Sequence, residues 1–266
     1  MEKSGSDPDF PGEKNWLSPQ FAKRKSGSDP DFSPQRLKGV VLAHEPHPDR
    51  LLLCLLYLFT AVTGLVDAVS YIGLGHVFTA NMTGNVVLLG FGFAGTPGLS
   101  VPRSLASLAA FFLGAIIGGR IAAALAPISS HRWTTAAFGT EGILLLGATW
   151  ASMNYRPSSA DSTRLYTLIV LTALAMGVRN ATVRKIGLQD LTTTVLTTTI
   201  TGLAADSSLA GGSNPRWQRR FLSIVFMFAG AAAGALLLKR SLALPLAVAT
   251  VSAFCAVAAL VGKREV

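Results

Sequence analysis

The hydrophobic positions of this chain fall into long unbroken runs, not into the one-sided stripes of soluble helices or the alternation of strands. A bilayer core roughly 30 Å thick takes about twenty helical residues to cross. Six runs reach that length, at 51–72, 104–126, 133–153, 165–184, 221–238 and 242–261. Two others break the pattern. The segment 78–95 follows Val77 with Phe-Thr-Ala-Asn-Met-Thr-Gly-Asn and becomes continuously apolar only at 86–94, and in 191–205 seven of the ten positions 192–201 are threonine. The expected fold is all-α: a polytopic integral membrane helix bundle of six full spans plus two short or discontinuous segments. Composition agrees, with 50% hydrophobic residues, 14% charged residues and a mean hydropathy of +0.46, a balance one soluble core could not hide.

The two misfits occupy matching places in an internal repeat. GLVDAVSYIGLGHVFTANMTGN from Gly64 can be laid over GVRNATVRKIGLQDLTTTVLTTT from Gly177, which sets Asp67 over Asn180 and, after one inserted residue, Thr83 over Thr197. Further on, FFLGAIIG from Phe111 parallels MFAGAAAG from Met227. The chain thus reads as a tail, 1–50, followed by a first membrane repeat, 51–153, and a second, 164–262. A broken apolar segment at the same place in both halves is the pattern of transporters whose site lies at the repeat interface. Every backbone N–H and C=O in lipid needs an internal partner, so unwound chain survives only where it is buried in protein or lines a wet cavity.

Gly84 permits the break, and Asn81, Thr83 and Asn85 supply donors and acceptors for freed backbone or for a solute. Their counterparts are Asn180, Thr194 and Thr197. The same side chains also serve as helix-to-helix glue, worth about 0.6–2 kcal/mol each.

Charges inside the spans narrow the picture. Asp67, Glu141 and Arg179 are costly at membrane depth, at about 2.5–3.5 kcal/mol each, and should face the bundle interior with partners. Asp67 and Arg179 lie in equivalent stretches and are expected to pair across the repeat axis, with Asp67 or Glu141 as a candidate proton-coupling group. Arg120 is expected to snorkel, and His76 to sit in a loop. The Gly114/Gly118 and Gly230/Gly234 pairs allow close helix approach, either between the repeats or in a homo-oligomer. The N-x-T triplets at Asn81 and Asn180 lie in or against the membrane, out of reach of glycosylation.

Other chemistry is missing from the pattern. The net charge of +9 resides in short loops without a basic helix or aromatic-interleaved patch, so no nucleic-acid partner is expected. Cys54 and Cys255 sit alone in apolar runs. No Ser/His/Asp set, metal-ligand cluster or phosphate loop points to an enzyme, and no cofactor or metal is implied.

The tail contains KSGSDPDF twice, at Lys3 and at Lys25, and its polar composition is that of a disordered segment. If the short segments cross fully, there are eight spans and parallel repeats; if they dip and return, six spans and inverted repeats. Flanking Lys and Arg are denser on the amino-terminal side under both models, which places residues 1–50 in the cytoplasm.

The stretches GLVDAVSYIGLGHVFTANMTGNVVLLG and AMGVRNATVRKIGLQDLTTTVLTTTITGLAAD resemble the YoaK-like family of uncharacterised, multi-spanning, mostly bacterial membrane proteins. The resemblance implies a multi-pass protein of the inner or plasma membrane, with Asp67, Asn81, Thr83, Gly84 and Asn85 at the matching positions. It contributes no catalytic residue. Two functional classes follow from the residues: a small-solute secondary transporter, and a non-transporting membrane scaffold or regulatory protein whose polar block is packing.

Overall fold

In the computed structural model the described residues are 50–153, 155, 162–187 and 196–262. The duplicated KSGSDPDF tail and Thr194 lie outside them. All described residues belong to the unit Pro48–Val266, and they form eight α-helices, one short 3-10 turn at Ser208–Ala210 and no strand. The helices are α1 (Arg50–Gly73), α2 (Met82–Phe93), α3 (Val101–Leu125), α4 (Ser130–Ser152), α5 (Ser162–Ile186), α6 (Leu196–Ala205), α7 (Trp217–Leu238) and α8 (Ala243–Gly262).

Five of these, α1, α3, α5, α7 and α8, are long and apolar enough to cross a membrane. The sixth expected span, α4, has the length but carries His131, Arg132 and Glu141, which lower its hydropathy. It nonetheless runs the depth of the bundle beside α8. His131 near its start bonds the Leu260 carbonyl, and Thr149 near its end shares a 2.9 Å hydrogen bond with Thr250.

Polar side chains in these spans mostly satisfy themselves. The hydroxyls of Thr60, Thr63, Thr172, Thr182 and Thr250 donate to the carbonyl one turn back, which removes the cost of an unpaired hydroxyl in an apolar setting.

Two helix crossings share one construction. A Cβ on Gly114 would fall onto the backbone of Leu174, and one on Gly118 would lie 2.9 Å from the Val178 carbonyl oxygen. On the other side of the bundle, Gly230 abuts the Ala61 backbone and a Cβ on Gly234 would lie 2.7 Å from the Leu65 carbonyl oxygen. Gly64 and Gly177 complete the two interlocks against Met227 and Phe111. Both G-x-x-x-G pairs are therefore engaged within the chain, and a homo-oligomer would have to use other faces. In both crossings residue numbers rise together, so α1 runs parallel to α7, and α3 parallel to α5.

The direction of the short helices follows from their contacts. The segment after α1 turns back: the N–H groups of Ala80 and Asn81 donate to Asp67, six residues inside the helix end, or about 9 Å deep at 1.5 Å per residue. From there α2 climbs to the face that α1 reached. α3 begins at that same face, since Arg103 donates to the Gly75 carbonyl at 3.4 Å and Ser107 to the Phe78 carbonyl at 2.6 Å. The end of α6 likewise lies beside the start of α7, where Arg220 bonds the Gly202 carbonyl at 2.5 Å and Asp206 at 2.7 Å. Both short helices thus start inside the bundle and exit on opposite faces. Among the described residues six helices run the depth of the bundle and the two short ones do not, which is the path of the six-span, inverted alternative.

Candidate functional site

The polar block can be read residue by residue. Asn81 is the N-cap of α2, its side-chain oxygen accepting the Gly84 N–H at 3.1 Å, the usual repair for an open first turn. Gly84 is required by space, because a Cβ there would lie 2.8 Å from the Phe78 ring. Asn85 is fully buried and grips the unwound segment from both sides. Its Oδ1 accepts the Phe78 N–H at 2.8 Å, while its Nδ2 donates to the Phe78 carbonyl at 2.5 Å and to Ser107 Oγ at 3.1 Å. The carboxylate of Asp67 holds the next two residues, at 2.9 Å from the Ala80 nitrogen and 3.2 Å from that of Asn81. Asp67, Asn81, Asn85 and Ser107 thus bond backbone groups of Phe78, Ala80, Asn81 and Gly84.

Two clefts meet at the tip of this segment. One, of about 560 Å³, is lined by Thr63, Asp67, Tyr71, Asn81, Thr83 and Gly84 on one side and by Leu196, Thr197 and Ile200 of α6 on the other. The second, of about 920 Å³, shares Asn81 and Thr83 and extends along Phe111, Ala115 and Gly119 of α3 to Asn180, Arg184 and Lys185 of α5. The sequence-derived site is therefore divided. Asn81, Thr83, Gly84 and Thr197 come together on the first cleft, and Asn180 faces the second. Asn85 lines neither and is a structural clamp, its side-chain polar atoms spent on the Phe78 backbone, Ser107 and the Met82 sulfur.

Thr83 and Thr197, which the sequence alignment superposes, share a further property. Neither hydroxyl makes a hydrogen bond to a described residue, in contrast to the back-bonded threonines of the spans. The Nδ2 of Asn81 is likewise uncommitted. These three groups present free polar capacity to the first cleft.

The expected pairing of Asp67 with Arg179 is not formed. Arg179 bonds Glu141 of α4 through Nη2, donates Nη1 to the Phe59 carbonyl at 3.2 Å and to Thr63 Oγ1 at 3.4 Å, and sits 4.8 Å from the Phe59 ring centroid. Both charged side chains are 0% exposed. Sequence equivalence misled here because Asp67 is consumed by the unwound backbone in its own half, while Arg179 points to α4. Glu141 Oε2 and Arg179 Nε have no hydrogen-bond partner among the described residues. Because Thr63 also lines the first cleft, the ion pair stands directly behind the cleft wall.

Sequence reading missed Arg184, Lys185, Tyr71 and Ser107. The first two resemble ordinary basic residues of a helix end, and only the cleft they border sets them apart. Among the described residues no group of three or more His, Cys, Asp or Glu could hold a metal ion. His76 adopts a left-handed backbone angle, φ 60°, in the turn after α1, and Cys54 and Cys255 are free and exposed.

The chain is similar to a known membrane protein. The UPF0700 transmembrane protein YoaK of Bacillus subtilis is 34% identical over 158 residues, covering 58% of this chain and 66% of that protein; the match spans a little less than two thirds of the relative's length. No solved structure matches the chain. Residues 55–261 match the family model described as "Protein of unknown function (DUF1275)", and the chain, a multi-pass helical membrane protein that carries the Asp67 and Asn81-to-Asn85 signature, belongs to that family.

Proposed function

We propose that this protein is a small-solute secondary transporter whose solute site is the cleft between the inner ends of α2 and α6. The observation that carries the reading is the pair Thr83 and Thr197. Both come from the first turns of the short helices, both line one cleft, and both keep uncommitted hydroxyls, whereas Thr60, Thr63, Thr172, Thr182 and Thr250 in the spans are self-bonded. Unwound segments whose helix N-termini face one another near the middle of the membrane are a transporter's means of presenting N–H and hydroxyl groups to a solute. Asp67, one turn above Thr63 on the cleft wall, is the candidate proton-coupling group.

The two interlocked crossings, with α1 and α7 matching α5 and α3, support an inverted duplication, which gives the bundle a means of alternating access by rocking one half against the other. Arg50, Arg132, Arg184, Lys185, Arg219 and Arg220 cluster at the amino-terminal face, which we assign to the cytoplasm of a plasma-membrane protein.

Cysteine accessibility tests this without knowledge of the solute. In a Cys54→Ala/Cys255→Ala background, single cysteines at Asn81, Thr83 and Thr197 should react with a membrane-impermeant methanethiosulfonate, and a cysteine at Asn85 should not. Labelling of the first three only by lipid-soluble reagents would remove the wet cleft, and with it the transporter. The scaffold reading draws support from Asn85, whose side chain bonds only the Phe78 backbone, Ser107 and the Met82 sulfur, and a dry cleft would extend it to the whole block.

A further inference from the structure

The second cleft carries more information about the solute than the first. Its lining includes Arg184 and Lys185 but no carboxylate. Both cations lie in the last turn of α5, and both are exposed. Neither makes a hydrogen bond or ion pair to a described residue, whereas Arg179, Arg103 and Arg220 are each engaged by a carboxylate or a carbonyl. Thr83 and the uncommitted Nδ2 of Asn81 line the same cleft, and both residues are exposed. The N–H groups of Met82 and Thr83, in the first turn of α2, have no acceptor within their own helix. Asp67 belongs to the neighbouring cleft and is bound to backbone N–H groups. The rest of the lining is mostly apolar, with Phe111, Ala115, Ala181 and Val183 beside the one polar side chain of Asn180.

We infer that the solute is a small organic anion, a carboxylate with a short apolar body. Arg184 and Lys185 select its charge at the amino-terminal face, and Asn81 and Thr83 receive its oxygens at the tip. This rests on the transporter reading for its direction of travel, but not for the binding itself. A guanidinium matches a carboxylate in both geometry and charge, and cations at a cleft mouth concentrate anions before they enter. The volume of about 920 Å³ suits an organic anion better than a bare inorganic one. Basic residues at a helix end also serve orientation and bind lipid phosphate, so the test separates those roles.

The full chain, purified in a neutral detergent, is titrated with hexanoate, hexanamide, hexylamine, inorganic phosphate and phosphatidylglycerol, and its melting temperature is followed. Hexanoate should raise the melting temperature, and the amide and amine should not. Arg184→Gln should weaken the apparent hexanoate affinity roughly tenfold while Arg184→Lys retains most of it. Both variants should melt near the parent temperature without ligand, because these side chains contact no described partner. Equal stabilisation by hexanamide, any preference for hexylamine, or an unchanged affinity in Arg184→Gln/Lys185→Gln would overturn the anion site. A response to phosphatidylglycerol or phosphate with none to hexanoate would reassign the cations to lipid headgroups or inorganic anions and equally overturn it. Hexanoate binding without flux in proteoliposomes would sink transport but leave the anion site standing, so the two failures are distinguishable.

Discussion

At the scale of single residues, the bundle holds its charges in two different ways. Asp67 is satisfied by backbone N–H groups, so its role is bound up with the unwound segment. Glu141 and Arg179 satisfy each other at zero exposure, and a pair of this kind is more costly to break than to delete. Removing one partner strands the other's charge in an apolar interior, at about 3–5 kcal/mol, whereas exchanging both for apolar residues of similar volume is often close to neutral. Arg179→Leu is accordingly expected to destabilise the protein by about that amount, and Glu141→Leu/Arg179→Leu by much less. Thermal denaturation of the two variants in detergent checks this. A double variant as unstable as the single one would show that the bonds from Arg179 to Phe59 and Thr63, and not its charge, hold α5 to α1.

At the scale of helices, the close crossings depend on six glycines, three in each. Gly114 and Gly230, one from each crossing, have a partner backbone where a side chain would begin. Overpacking a well-fitted contact usually costs about 1–3 kcal/mol, and here the obstacle is backbone that cannot rotate aside. Gly114→Val and Gly230→Val should each lower the melting temperature and loosen one crossing, α3 from α5 or α1 from α7. Gly90→Ala, where no atom lies within 4 Å of the added carbon, should leave it unchanged. Melting curves of the three variants side by side decide the matter; a harmless Gly230→Val would mean that α1 and α7 are free to separate.

The crossings also show which part of the pattern could be read in advance. FFLGAIIG and MFAGAAAG announced close approach, because small residues four apart have few other uses in an apolar helix. They did not announce which helix each would meet. That choice paired the third helix of one half with the first helix of the other, a contact between residues far apart in the chain.

At the scale of the whole molecule, the decisive feature is the path of the chain. The loop 94–100 follows α2 and precedes α3, and the contacts from Arg103 and Ser107 to Gly75 and Phe78 put it on the face opposite Arg50. A cysteine at Thr96, in the Cys54→Ala/Cys255→Ala background, should therefore be labelled from the same side as one at Lys239 and from the opposite side to one at Ile128. Impermeant maleimide applied to sealed inside-out and right-side-out vesicles gives the answer. Labelling of Thr96 together with Ile128 would mean that α2 crosses the membrane completely.

The sequence by itself determined the class and most of the spans. Hydropathy over twenty residues reports a transfer free energy that each segment carries alone, so α1, α3, α5, α7 and α8 were legible with their ends within a few residues. The sequence also marked Asn81, Thr83 and Thr197 as polar where lipid was expected; Gly84, expected to be the break, lies instead inside the first turn of α2, and the left-handed glycine of the turn after α1 is Gly75. Tertiary structure alone decided what each polar group was for. Asn85 and Asp67 turned to backbone, Arg179 found Glu141 in place of Asp67, and Thr83 and Thr197 came to line one cleft while Arg184 and Lys185 border the neighbouring one. The physical reason is that a hydrogen bond or an ion pair belongs to two groups at once. Which two come within 3 Å depends on how the helices cross, and that is settled by packing between segments distant in the sequence.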